Sequence, residues 1–102
     1  MKKIINGKKY DTDTAKELAS DGNGLGYRDF RNVHEALYIK RTGEYFLYGC
    51  GGAMSKYAHA IDDNSWSGGE KIVPLTEAEA REWAETHIDA DEYEAIFGEV
   101  EE

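Results

Sequence analysis

The sequence predicts an α+β fold: a small antiparallel β-sheet of about three to five strands, packed by a C-terminal helix pair and a short N-terminal helix. Three observations carry that expectation. Residues 35–50 contain two aromatic-rich, β-prone runs, Ala36-Leu37-Tyr38-Ile39 and Tyr45-Phe46-Leu47-Tyr48, around the turn signal Arg41-Thr42-Gly43-Glu44. Apolar residues from Ala80 onward recur at helical spacing. With 102 residues the chain has the length of one domain, spanning 1–102, and its seven tyrosines, three phenylalanines and two tryptophans supply material for one core.

Taken in order, Lys3-Ile4-Ile5 and Lys8-Lys9-Tyr10 flank Asn6-Gly7, a pair suited to a type I′ hairpin turn because both positions need φ > 0. Residues 11–14 (DTDT) offer N-cap oxygens, and Ala15, Leu18 and Ala19 follow at helical spacing, so a helix of about two turns is expected there. The glycine-rich stretch 21–26 reads as a loop, and residues 27–32 (YRDFRN) fit no single element. The central hairpin follows and ends near residues 49–52 (GCGG). Residues 53–61 admit either a strand after a bulge or a short helix, and residues 62–69 read as a loop holding Trp66. Ile72-Val73-Pro74-Leu75 is extended, and Pro74 confines it to a sheet edge or a strand end.

Thr76 with Glu79 three residues on forms a capping box, and the helix it opens places Ala80, Trp83, Ala84 and His87 on one face. Trp83 is therefore expected to be largely buried against the sheet. Asp89 offers a second N-cap, Tyr93, Ile96, Phe97 and Val100 share a face, and Gly98 suits a C-cap. The tail 99–102 is expected to fray.

Charge is distributed unevenly. Residues 70–102 hold twelve acids against Lys71 and Arg81, a net of −10, whereas residues 1–69 are near neutral. Such asymmetry marks an electrostatic interaction surface. Its candidate partner-binding residues are Glu77, Glu79, Glu82 and Glu85, off the first helix's apolar stripe, and Asp91, Glu92 and Glu94, off the second. Two readings of such acids compete, and the first is ordinary: a solvated face, with carboxylates favoured near helix N-termini by the macrodipole. The second is a negative strip that fits a basic groove. B-DNA carries one charge per ~1.7 Å of axis, so a protein that mimics it needs carboxylates at this density.

Other chemistry finds little footing. Residues 49–56 (GCGGAMSK) lack the spacing of a phosphate loop, and no parallel βαβ pattern surrounds them. His34, His59, His87 and Cys50 lack metal-ligand spacing, and no serine sits in a nucleophile elbow. The expectation is a protein that is not an enzyme, without catalytic residues, metal or cofactor. One cysteine suits a reducing compartment, no apolar run nears the ~20 residues of a membrane span, and the Lys-Lys start lacks a signal peptide's apolar core. A cytoplasmic location follows as the expectation. Net charge −9 argues against non-specific binding to nucleic acid, duplex DNA included, and to anionic membranes, because both would be repelled.

Residues 1–12 (MKKIINGKKYDT), 14–19 (TAKELA), 43–57 (GEYFLYGCGGAMSKY) and 68–85 (GGEKIVPLTEAEAREWAE) resemble a family of short acidic proteins encoded by phages and mobile elements of Firmicutes. Proteins of this kind occur among type II anti-CRISPR inhibitors. The resemblance implies a counter-defence protein, acting in the host bacterial cell, that disables a CRISPR–Cas effector nuclease or its guide loading. It carries over no contact residues. Two other readings accompany it: an interaction module of a mobile element with no nuclease target, and an enzyme modifying RNA or the effector.

Overall fold

The computed structural model describes residues 1–26, 28–61 and 65–101. Strands β1 (Lys2–Ile5) and β2 (Lys8–Asp11) form the expected opening hairpin, with Asn6 at φ 52° and Gly7 at φ 78° supplying the turn. A four-stranded antiparallel sheet follows in the order β3-β4-β5-β8, from β3 (Lys16–Gly22), β4 (Val33–Ile39), β5 (Tyr45–Gly51) and β8 (Gly69–Leu75). Between β5 and β8 the two-residue strands β6 (His59–Ala60) and β7 (Trp66–Ser67) pair with each other. Helices α1 (Glu77–His87) and α2 (Ala90–Phe97) close the chain.

The central hairpin stands as expected, in longer strands, with Leu37 opposite Leu47 and Tyr38 opposite Phe46. Pro74 lies on β8, an edge strand, where its missing N–H costs no inner ladder bond. Both helix starts also match: Thr76 and Glu79 make the reciprocal capping box, and Asp89 caps the Glu92 amide. Gly98 at φ 93° ends α2.

Residues 15–19 are not helical, which corrects the expectation of a short N-terminal helix. One turn forms there, with the Asp13 amide on Asp11 Oδ1 (2.9 Å) and the Ala15 amide on the Asp11 carbonyl (3.0 Å). The chain then extends into β3, because pairing with β4 satisfies a whole row of backbone groups that a two-turn helix would leave at its ends. A bulge between Glu17 and Ala19 breaks the alternation that would otherwise mark a strand. Residues 53–57 are turns rather than helix or strand, with the short β6 following. Trp66 lies in β7, not in a loop. Tyr27 and residues 62–64 fall outside the described residues, and 28–31 form turns.

Each sheet face has its own cover. Tyr10, Phe46 and Ile72 make one buried cluster beneath the β1–β2 hairpin, with Tyr10 edge-on to Phe46 (5.5 Å) and Tyr38 stacked on it (5.2 Å). Strand alternation sends Glu35, Leu37 and Leu47 to the opposite face. There α1 packs, with Ala80 and Ala84 fully buried and Trp83 bonded to Glu35. Trp83 is half-buried, its indole bonded to Glu35 and stacked on the His87 ring. The alanines make the close approach, and the indole fills the margin.

Candidate interaction surface

The helices present their acids outward because their apolar faces are spent on the sheet and on each other. Phe97 meets Tyr45 of β5 (5.9 Å) and Tyr93 of its own helix (5.0 Å), which sets α2 against β5, and Arg81 of α1 lies over the Phe97 ring (4.8 Å). All seven candidate residues, Glu77, Glu79, Glu82, Glu85, Asp91, Glu92 and Glu94, are exposed. Arg81 is the one cation of the two helices. Its guanidinium lies 4.8 Å from the Phe97 ring centre and 3.7 Å from Glu77, it hydrogen-bonds Tyr93, and 38% of the side chain is exposed.

The seven differ in what else they do. Glu79 Oε1 accepts the Thr76 amide (2.9 Å), so it is committed to the cap of α1. Glu94 Oε2 accepts the Val100 amide (3.3 Å) and steadies the chain after α2. Among the described residues no ion pair engages Glu82, Glu85, Asp91 or Glu92. Glu85 and Glu94 border an open depression of about 520 Å³ between the end of α1 and α2, floored by Ile88, Tyr93 and Val100.

A second constellation sits where α1 ends. Glu35 in the middle of β4 has only 4% of its side chain exposed. Lys56 Nζ lies 2.8 Å from its Oε2, the Tyr57 hydroxyl donates to the same oxygen, and Trp83 Nε1 donates to Oε1 (3.4 Å). His87 Nε2 stands 3.8 Å from Oε1, and its Nδ1 contacts Asp21 Oδ2 on β3 at 2.9 Å. The Trp83 and His87 rings stack at 4.8 Å. Gly49 makes room: a Cβ there would lie 2.0 Å from the Tyr57 hydroxyl oxygen.

Burial raises the Glu35 carboxyl more than any other single effect, yet Lys56, Tyr57 and Trp83 together hold it below its ordinary value. The His87 hydrogen bond does the same for Asp21, and burial beside Glu35 pushes the Tyr57 phenol up. With these donors around it, the carboxylate clasps β4, the 53–57 turn and α1 together. Sequence reading passed over this cluster. The one available signal is a glutamate at the start of an apolar strand run, and its partners lie far along the chain.

A third feature is apolar. Phe30 (66% exposed) and Trp66 (59%) border one cleft around Gly51, Gly52 and Gly68, and the Met54 amide bonds the Phe30 carbonyl (2.6 Å). Large exposed aromatics of this kind serve as anchors in protein interfaces. Cys50 borders the same cleft, but burial foremost, and then the Glu70 charge, push its thiol up and away from the nucleophilic thiolate.

No cluster of three or more metal-ligating side chains occurs among the described residues, and no helix there is long and apolar enough to cross a membrane. Comparison with known proteins finds no matching family model, no matching curated protein and no matching solved structure.

Proposed function

We propose that this chain is a non-catalytic protein inhibitor of a CRISPR–Cas type II effector nuclease, encoded by a phage or mobile element. It works by setting its acidic helical layer against the effector's basic nucleic-acid groove. One observation supports the reading: seven exposed carboxylates share two adjacent helices that carry a single cation, Arg81. A nucleic-acid groove is lined with cations that need phosphate-like counter-charges, and ordered helices present carboxylates at fixed spacing. Steering by opposite fields speeds association, while desolvated anchors supply most of the affinity. Phe30 and Trp66 are exposed aromatics that can serve as such anchors.

The reaction is occlusion, so no bond is made or broken. A cleavage assay with a purified effector–guide complex tests it. Inhibition that saturates at one inhibitor per effector supports the proposal. Loss of activity that is sub-stoichiometric and grows with time overturns it in favour of an enzyme. No effect on type II effectors leaves an interaction module of a mobile element, a reading that the exposed aromatic rim also accommodates.

A further inference from the structure

Where α1 hands over to α2, the acidic layer holds an apolar hollow. The depression of about 520 Å³ has Ile88, Ala90, Tyr93 and Val100 as its apolar lining, and Val100 is left 55% exposed. The charged residues that border it, Glu85, Asp89, Glu94 and Glu101, are all acids, and no cation among the described residues lines it. Two of these carboxylates are in use: Asp89 caps the Glu92 amide and Glu94 accepts the Val100 amide. Among the described residues no hydrogen bond or ion pair engages the carboxylates of Glu85 and Glu101.

The lining is set in advance. Arg81 reaches the Tyr93 hydroxyl from α1 and Phe97 lies beside the Tyr93 ring (5.0 Å), yet neither Arg81 nor Phe97 borders the depression. Backbone dipoles largely offset one another here, since α1 ends and α2 begins at the same place, with Asp89 answering the α2 amides. Glu85, Glu94 and Glu101 therefore set the sign. An occupant must join an apolar body to a cationic tip. Lysine and arginine have that shape, because their methylene stems cover apolar surface while the charge stays at the rim. The aromatic ring in the lining selects between them. A guanidinium is planar, stacks on aromatic faces and offers five N–H donors to carboxylates on several sides, whereas an ammonium is a compact, strongly hydrated point charge. Seating over apolar surface also takes water from the ion pairs, which contribute little as fully exposed contacts.

We propose that this depression seats an arginine side chain of the protein partner, its stem over Ile88 and Val100, its guanidinium against Tyr93 and among the bordering carboxylates. The inference rests on reading the acidic layer as a partner-binding surface, and it names the group that this surface takes. The probe is Nα-acetylarginine amide, titrated into the full, isotopically labelled chain at low ionic strength and followed by amide NMR shifts, with no effector present. Saturable shifts centred on the amides of Ile88, Ala90, Tyr93 and Val100, with a millimolar dissociation constant, are expected for a ligand of this size. Nα-acetyllysine amide should bind at least threefold more weakly, and the neutral isostere Nα-acetylcitrulline amide should give no saturable shift. Glu85→Gln with Glu101→Gln should weaken arginine binding at least fivefold. Asp13→Asn with Glu17→Gln removes the same charge from the turn after β2 and from β3, and should leave binding within twofold of the parent. The proposal is overturned if the lysine or citrulline probe binds as tightly as arginine, if the shifts centre elsewhere, or if the Glu85 and Glu101 variant binds like the parent. It is equally overturned if the same amides shift with chain concentration alone, which would give the depression to a second copy. A chain that inhibits a type II effector but ignores the arginine probe loses this depression and keeps the effector reading. A chain that takes the probe but inhibits no type II effector does the reverse.

Discussion

Lys56 Nζ lies 2.8 Å from Glu35 Oε2, joining an exposed ammonium to a carboxylate of which only 4% is exposed. The asymmetry decides which partner matters. Glu35→Ala strips Tyr57 and Trp83 of their acceptor, and it should destabilise the chain by about 3 kcal/mol, in the range for breaking buried charged networks. Lys56→Met removes a group that water can largely replace and should cost about 1 kcal/mol. Urea melts of both variants check this. Equal losses would mean that the carboxylate is better solvated than its position in β4 implies.

The acid limb of stability follows from the same network. Glu35 and Asp21 both have folded-state carboxyls held below their ordinary values of 4.5 and 3.8. The unfolded state therefore binds protons first as pH falls. Their contribution is fully present above about pH 5 and is lost as pH drops below 4 through the folded values. Glu35→Gln should flatten that limb, so parent and variant curves converge toward low pH. Thermal melts from pH 7 to pH 3 measure it, and parallel curves would rule the pair out as the source.

The two faces of the sheet should respond differently to aromatic truncation. Phe46 is fully buried between Tyr10 and Tyr38, so Phe46→Ala should cost about 3–5 kcal/mol. Trp83 is half-buried over the alanines of α1, and Trp83→Ala should cost about 2 kcal/mol, of which the indole hydrogen bond to Glu35 is part. Denaturant midpoints rank the two, and a Trp83 loss as large as that of Phe46 would place the helix anchor in the indole after all.

What was legible in the sequence was local. Asn6-Gly7, the aromatic hairpin, Thr76 with Glu79, and Asp89 with Gly98 each encode their geometry within a few residues, and each forms as read. What escaped was set by distant partners. Leu18 and Ala19 carry helical spacing, but the bulge beside them and the waiting edge of β4 draw the segment into β3. Glu35 reads as a strand-end polar residue until Lys56, Tyr57, Trp83 and His87 converge on it. The acidic residues were visible as a cluster, but not that Glu79 and Glu94 already hold backbone amides.

That division sharpens the test of the acidic layer. Glu79→Lys would also break the cap of α1, worth about 1 kcal/mol, and confuse binding with stability. Glu82, Asp91 and Glu92 are exposed and engaged in no ion pair among the described residues. Reversing these three to Lys should leave the melting temperature within a few degrees of the parent, since exposed charges contribute little. It should weaken inhibition of the effector at least tenfold, mostly through slower association, and flatten its dependence on salt. Glu17→Lys on β3, across the sheet from the helices, is the matched control and should inhibit like the parent. Association rates at two salt concentrations separate the outcomes. If the triple variant keeps the parent's rate and salt slope, the carboxylates are a solvated surface and the contact lies at the Phe30–Trp66 rim.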